Sequence, residues 1–173
     1  TKKVARCFYA LEQERADRKR YPAVNPIDSY SKYLEYPEFQ EYVRERIGNG
    51  WIEKVEEMKH RLIQGKEIAE QINILGDDGV PLEYHITFWK SELIDFIICQ
   101  QDAFDAVDCN CPIERQEYMV DLVVRMCNTD FSFDGFSEVG DYFKELISAF
   151  RQMSYSIYKS EEFKQAEARG PAY

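Results

Sequence analysis

Residues 82–97 read LEYHITFWKSELIDFI. Leu82, Ile86, Trp89, Leu93, Phe96 and Ile97 recur there at spacings mostly of three and four. At 3.6 residues per turn these side chains share one face, so the stretch is expected to be an amphipathic helix. Pro81 suits the first turn of that helix, where a missing N–H costs nothing. Toward the N-terminus, Gly76-Asp77-Asp78-Gly79 reads as a turn. Beyond it the apolar stripe resumes through Leu75, Ile72 and Ile68 and on to Leu62, Met58, Val55 and Trp51, with Gly65 as a candidate kink. Gly48-Asn49-Gly50 separates this stripe from an earlier one formed by Phe39, Val43 and Ile47.

Toward the C-terminus, residues 99–111 read as a loop or short turn. Pro112 opens a further helix, with Glu114 well placed near its N-terminus and Ile113, Met119, Leu122, Val123 and Met126 on its apolar face. Residues 128–135 read as loop. Val139, Phe143, Leu146, Ile147, Phe150 and Met153 define a last long helix, and residues 160–169 a short polar one. The expectation is an all-α fold, a bundle of four or five main helices with short antiparallel connections. Residues 4–11 are mixed, and suit either a strand or a first helical turn. Residues 12–20 form a polar run with seven charges, and Tyr21-Pro22 and Asn25-Pro26 then impose extended or turn geometry.

With 173 residues, a single domain with its own core is the default. Charged residues make up 31% and the net charge is -10, which disfavours general binding to nucleic acid or anionic membrane. Five cysteines in no framework spacing, behind no secretion-like start, indicate free thiols in a reducing cytosol. No apolar run approaches the roughly 20 residues of a membrane span. Asp95, and Asp121 with Arg125, break the longest ones. Any work at a membrane would therefore pass through partners. Thr1 in first position fits a fragment or a processed chain.

The catalytic inventory is nearly empty. The chain carries no G-x-x-x-x-G-K-[ST] phosphate loop, no H-E-x-x-H, no G-x-S-x-G and no dinucleotide glycine fingerprint. His60 and His85 read as surface or boundary histidines. Cys109-Asn110-Cys111 is a C-x-C pair with no second pair to complete a zinc site. Glu53, Glu56 and Glu57 read as a solvated helix face. No catalytic and no metal-binding residue is expected, and on these grounds alone the chain is a helical interaction domain.

Two stretches carry a resemblance. Residues 21–33, YPAVNPIDSYSKY, are similar to the segment where the nucleotide domain of rotary ATPase catalytic subunits passes into a C-terminal helical domain. Pro26 and Asp28 are like the YPAVDPLDSTSR pattern of F-type beta subunits. Ser29-Tyr30-Ser31 and Tyr33 match the FPAINWLTSYSxY pattern of V/A-type A subunits. Residues 95–108, DFIICQQDAFDAVD, resemble the DFLQQNAFDxVD stretch of A subunits, and Cys109-Asn110-Cys111-Pro112 stands where that family has TYCS. Cys7 to Leu11 (CFYAL) and residues 71–76 (QINILG) add weaker support in the same order. The chain is thereby identified as resembling the C-terminal helical domain of a V/A-type catalytic A subunit, over about residues 4–120.

The resemblance implies a division at residue 20. Residues 1–20 would end the nucleotide-binding domain, and 21–173 would form the helical domain. It implies that the parent chain, not this segment, hydrolyses or makes ATP with Mg, in an alternating hexamer of A and B subunits around a central rotor stalk. An arginine finger would come from the neighbouring non-catalytic subunit. It implies a place in the cytoplasmic, membrane-peripheral sector of a bacterial or archaeal ion-transporting complex. Carried over position by position, Tyr21 and Phe104 would flank the adenine, with Gln101 and Ala103 in the same pocket. Gly76, Asp77, Asp78, Gly79 and Val80 would form the tip facing the rotor. The family's Asn is Asp102 here, which puts any direct Asn contact in question. Cut from its sheet, the segment at residues 4–11 is expected to fray, turn helical or pair with a second copy. The alternatives are a free-standing acidic helical adaptor and the corresponding domain of an F-type beta subunit.

Overall fold

The computed structural model describes residues 4–170. Its element order is β1 (Cys7–Leu11), α1 (Gln13–Asp17), β2 (Val24–Ser31), α2 (Pro37–Arg46), α3 (Trp51–Leu75), α4 (Leu82–Ile94), α5 (Ile113–Asn128), α6 (Phe136–Ser154) and α7 (Glu161–Arg169). The fold is mostly helical, with seven α-helices and one two-stranded hairpin among the described residues. The helical periods of the sequence therefore place every long element.

The core lies between α4, α5 and α6. Leu93, Leu122, Val123, Met126, Val139, Phe143, Leu146, Phe150 and Met153 are fully buried there. Phe131 and Phe133, from the loop before α6, close one end by packing on Tyr142 and Phe143 at ring separations of 5.2–5.5 Å. Burying a side chain of this size contributes about 1.5–3 kcal/mol, so this cluster dominates the stability of the bundle. Ser160 caps α7 by accepting from the Phe163 amide at 3.2 Å, and the Phe163 ring packs on Tyr118 and Tyr158.

α3 and α4 form an antiparallel pair joined by the turn at Asp77–Gly79. α3 runs unbroken through Gly65, so the candidate kink is instead a contact point. A Cβ at Gly65 would lie 2.1 Å from Ser91 Oγ and 2.2 Å from Ser91 Cβ. Only a hydrogen there lets the two helices approach this closely.

β1 does not fray, and its partner lies in the same chain. It pairs antiparallel with β2, with Cys7 opposite Ser31, Phe8 opposite Tyr30, Ala10 opposite Asn25 and Leu11 opposite Val24. The register jump between Phe8 and Ala10 leaves residues 26–29 bulged, a position that tolerates Pro26 because no ladder N–H is needed. Asn25 holds the bulge: its Oδ1 accepts from Ile27 and Asp28 amides, and its Nδ2 donates to Glu12 and Asp28. The expectation that this segment lacks a sheet neighbour missed β2, because the proline-rich stretch read as extended or turn geometry with no pairing partner assigned.

Gly65→Ala is expected to destabilise the chain by about 1–3 kcal/mol through overpacking against Ser91. Ser91→Gly added to it should recover part of that loss, and thermal unfolding of the single and double variants measures the coupling.

Candidate functional site

The polar run after β1 folds into α1, and the backbone turns sharply at Lys19, whose φ is 55°. This brings Arg15 and Arg20 against the end of α4. There the helix widens into a π-turn at Asp95–Cys99, a device that re-aims side chains at a helix end. Asp95, only 4% exposed, receives both arginines: Arg15 Nη1 at 2.5 Å on Oδ1 and Arg20 Nη1 at 2.6 Å on Oδ2. Arg20 Nη2 reaches Glu92 at 2.6 Å, and its guanidinium stands 4.7 Å above the Phe96 ring. Burial works against the Arg20 charge, but Glu92 and Asp95 outweigh it and hold its pKa above the usual value. Arg15 Nε and Nη2 find no hydrogen-bond partner among the described residues, so Asp95 is what compensates that buried cation.

Two segments hang from this cluster. Tyr21 follows Arg20, and its carbonyl accepts from the Gln101 amide at 3.0 Å. Gln100 Nε2 donates to Asp95 Oδ2 at 3.3 Å. Residues 21 and 101, 80 positions apart, are thus joined. A cavity of about 120 Å³ lies beside the junction, lined by Tyr21, Phe96, Gln101, Asp102, Arg151 and Tyr155 among others. Tyr21 is 55% exposed, and Gln101 Nε2 is occupied by the Asp108 carbonyl at 2.8 Å. Ala103 and Phe104 lie on the following turn, outside the cavity lining, and the Phe104 ring is fully exposed.

Asp108 organises that turn. Its Oδ2 accepts from the Asp102 amide at 2.7 Å, and its other oxygen faces buried Arg115 at 3.4 Å. Burial pushes the Asp108 carboxyl above its ordinary range, against the pull of the Asp102 amide and Arg115. Arg115 in turn donates to the Ser154 carbonyl at 2.7 Å, tying the loop to the end of α6.

At the opposite end of α4, the turn after α3 places Asp77 and Asp78 in solvent, beside exposed Ile74 and Leu75. Gly76 has φ 76°, where a side chain would be strained, and Val80 is buried beneath the turn. His85 is buried, where its sequence context suggested a surface or boundary position. It is 4% exposed, stacks on Phe136, and its Nε2 lies 3.0 Å from the Asp77 carbonyl, fixing the turn to α4. Helical periodicity placed His85 off the main stripe. The α6 N-terminus that covers it was invisible in the sequence. His60 is exposed as expected.

No family model matches the chain. A V-type ATP synthase alpha chain of Chlamydia abortus is 36% identical over 165 residues, which is 95% of this chain and 27% of that protein. One of Protochlamydia amoebophila is 31% identical over 175 residues, 97% of this chain and 28% of that protein. The chain is homologous to a segment of V-type ATP synthase alpha chains. It spans just over a quarter of the length of those relatives. An ATP synthase subunit, NeqB from Nanoarcheaum equitans, shares the fold with a TM-score of 0.54 at 16% identity, covering 74% of this chain and 29% of that one.

Within this alpha-chain homologue, the site is positioned by ion pairs among Arg15, Arg20, Glu92, Asp95 and Arg115, of which motif reading took in only Asp95. Asp95 was legible as the charge breaking an apolar run, and the two arginines only as part of a polar tract. The departure at Asp102 has a local account: its Oδ1 accepts from the Phe104 amide at 2.9 Å, an Asx turn that an asparagine oxygen makes equally well. Cys109 and Cys111 are exposed free thiols, and among the described residues no group of three or more His, Cys, Asp or Glu could hold a metal ion. No helix of the described residues is long and apolar enough to cross a membrane.

Asp102→Asn is accordingly expected to leave stability within about 0.5 kcal/mol of the parent. Asp102→Ala, which removes the acceptor, should lose about 1 kcal/mol. Denaturant unfolding of the two variants side by side checks this.

Proposed function

We propose that the chain is the C-terminal domain of the catalytic A subunit of a V/A-type ATP synthase, supplying one wall of the adenine pocket and the lever that drives the central shaft. The observation that carries this is the Tyr21 carbonyl to Gln101 amide bond, which joins the two stretches whose sequences resemble the adenine-side motifs. Tyr21 presents an exposed face beside a small polar cavity, and an aromatic face stacks on a purine for roughly 1–3 kcal/mol. Phe104, fully solvated at its turn, is available to close over the other face of the base. Gln101 and Ala103 stand between them in sequence, with the Gln101 amide nitrogen already engaged.

Residues 1–20 end the nucleotide domain in this reading, and 21–173 form the helical domain. The β1–β2 pairing ties the two across that division. In this reading the phosphates and Mg of the nucleotide are held outside this segment, which has no phosphate loop. Motion of the site on closing is passed along the rigid α3–α4 pair, a hinge-and-lever arrangement. Its far end is the turn with Asp77 and Asp78, which we assign to the rotor contact. The partners are then the alternating A/B hexamer and the rotor stalk, in the cytoplasmic sector of an ion-transporting complex.

In the full-length subunit, assembled with its partners, Tyr21→Ala should raise KM for ATP by roughly 5- to 150-fold, the equivalent of one lost stacking contact, while Tyr21→Phe stays near the parent. The isolated chain should turn over no ATP, because stacking alone does not offset the cost of association. Turnover by the isolated chain that a substitution within it abolishes would overturn the assignment. Reversing the charge at Asp77 and Asp78 should lower coupling between hydrolysis and ion transport; unchanged coupling in vesicles would remove electrostatics from the tip's role.

A further inference from the structure

We infer that Asp95 and Arg20 are positioning residues for base recognition: they hold the Tyr21 face and the Gln100-Gln101 backbone at a fixed separation. This rests on the adenine reading of the cavity, and goes beyond it by assigning the work to residues outside the cavity lining. Neither side chain lines the cavity beside Tyr21. Both edges of that cavity nonetheless end on Asp95. One edge runs through Arg20, the residue before Tyr21, by the 2.6 Å pair to Asp95 Oδ2. The other runs through Gln100, the residue before Gln101, by the 3.3 Å bond to the same oxygen. The Tyr21–Gln101 backbone bond closes the ring. A single carboxylate oxygen therefore meets both approaches to the junction.

The fork geometry matters. Arg20 uses Nη1 on Asp95 and Nη2 on Glu92, and stacks its plane on Phe96, which is itself a wall of the cavity. A lysine keeps the charge but offers no planar fork, and so cannot span two carboxylates and a ring at once. Asp95 faces Arg15 and Arg20 from the hairpin side and Glu92 and Gln100 from its own side, and at 4% exposure it has little water to fall back on. Arg20→Lys thus loosens the mount without emptying it, whereas Asp95→Asn leaves the buried Arg15 guanidinium uncompensated and Arg20 with Glu92 alone.

The test uses the full-length subunit in its assembled complex and compares kcat/KM for ATP with that for CTP, whose smaller ring stacks less. A displaced Tyr21 weakens purine binding more than pyrimidine binding, so the ATP/CTP ratio falls. A general loss of structure lowers both together and leaves the ratio alone. Arg20→Lys is expected to raise KM for ATP about 2- to 5-fold, less than the full loss of a stacking contact, with kcat little changed and the ratio reduced. Tyr21→Ala is the control on the underlying reading, and should collapse the ratio further. If Tyr21→Ala leaves the ratio intact, the adenine reading itself fails, and this inference with it. If Tyr21→Ala lowers the ratio but Arg20→Lys leaves both KM and ratio at parental values, the positioning role is overturned while the pocket stands. Asp95→Asn is the second arm. Should it fail to assemble, Arg20→Lys decides alone; if it assembles with the parental ratio, the inference is likewise overturned.

Discussion

The buried carboxylate of Asp95 is the constraint around which the rest of this chain is arranged. Taking a carboxylate and two guanidinium groups out of water is costly, and their mutual attraction offsets that cost only when the geometry is good. Here the geometry is supplied from both directions: a π-turn re-aims the end of α4, and α1 with the turn at Lys19 delivers both arginines. Replacing such a cluster by hydrocarbon is often neutral or stabilising. Breaking it by removing one partner is not, and typically costs about 3–5 kcal/mol. The cluster therefore specifies one arrangement of the hairpin on the bundle more than it adds stability.

That arrangement gives the hairpin its purpose. β1 and β2 expose Val24, Phe8, Tyr9 and Leu11 to different degrees, and as a lone two-stranded ribbon they would be marginal in water. Pinned through Arg15 and Arg20 to α4, they become a fixed extension of the helical core. The residue after Arg20 is Tyr21, so the position of Tyr21 is registered directly against the end of α4. α4 in turn packs on both α3 and α6, so the cluster sits on the helix that contacts most of the bundle. Gly65 against Ser91 lets the α3–α4 pair pack closely, and the His85–Asp77 contact fixes the turn at its far end.

The loop at residues 100–111 has a comparable internal logic. Asp102 caps its own turn, Asp105 accepts from the Val107 and Asp108 amides, and Asp108 accepts from Asp102 and faces Arg115. The three carboxylates of this loop are largely spent on backbone amides. Their placement shapes the turn that carries Phe104 into solvent, with no cation needed to explain them.

The sequence by itself determined the helices, because a 3.6-residue apolar period at Leu82 to Ile97, Trp51 to Leu75 and Val139 to Met153 is local information. It determined the homology too, through two short stretches whose order and spacing are rarely matched by chance. It determined the absence of a phosphate loop from this segment, since that motif is contiguous. The tertiary structure alone decided the partner of β1, the burial of His85 and the gathering of Arg15, Arg20, Glu92 and Asp95. Each of these depends on which residues distant in the chain meet, and neither charge pattern nor periodicity encodes that pairing. A polar run such as residues 12–20 reads as solvated until a buried carboxylate 75 to 80 positions away is seen to need it. The physical reason is that burial of a charge is a property of its neighbours in space, and only the folded chain supplies them.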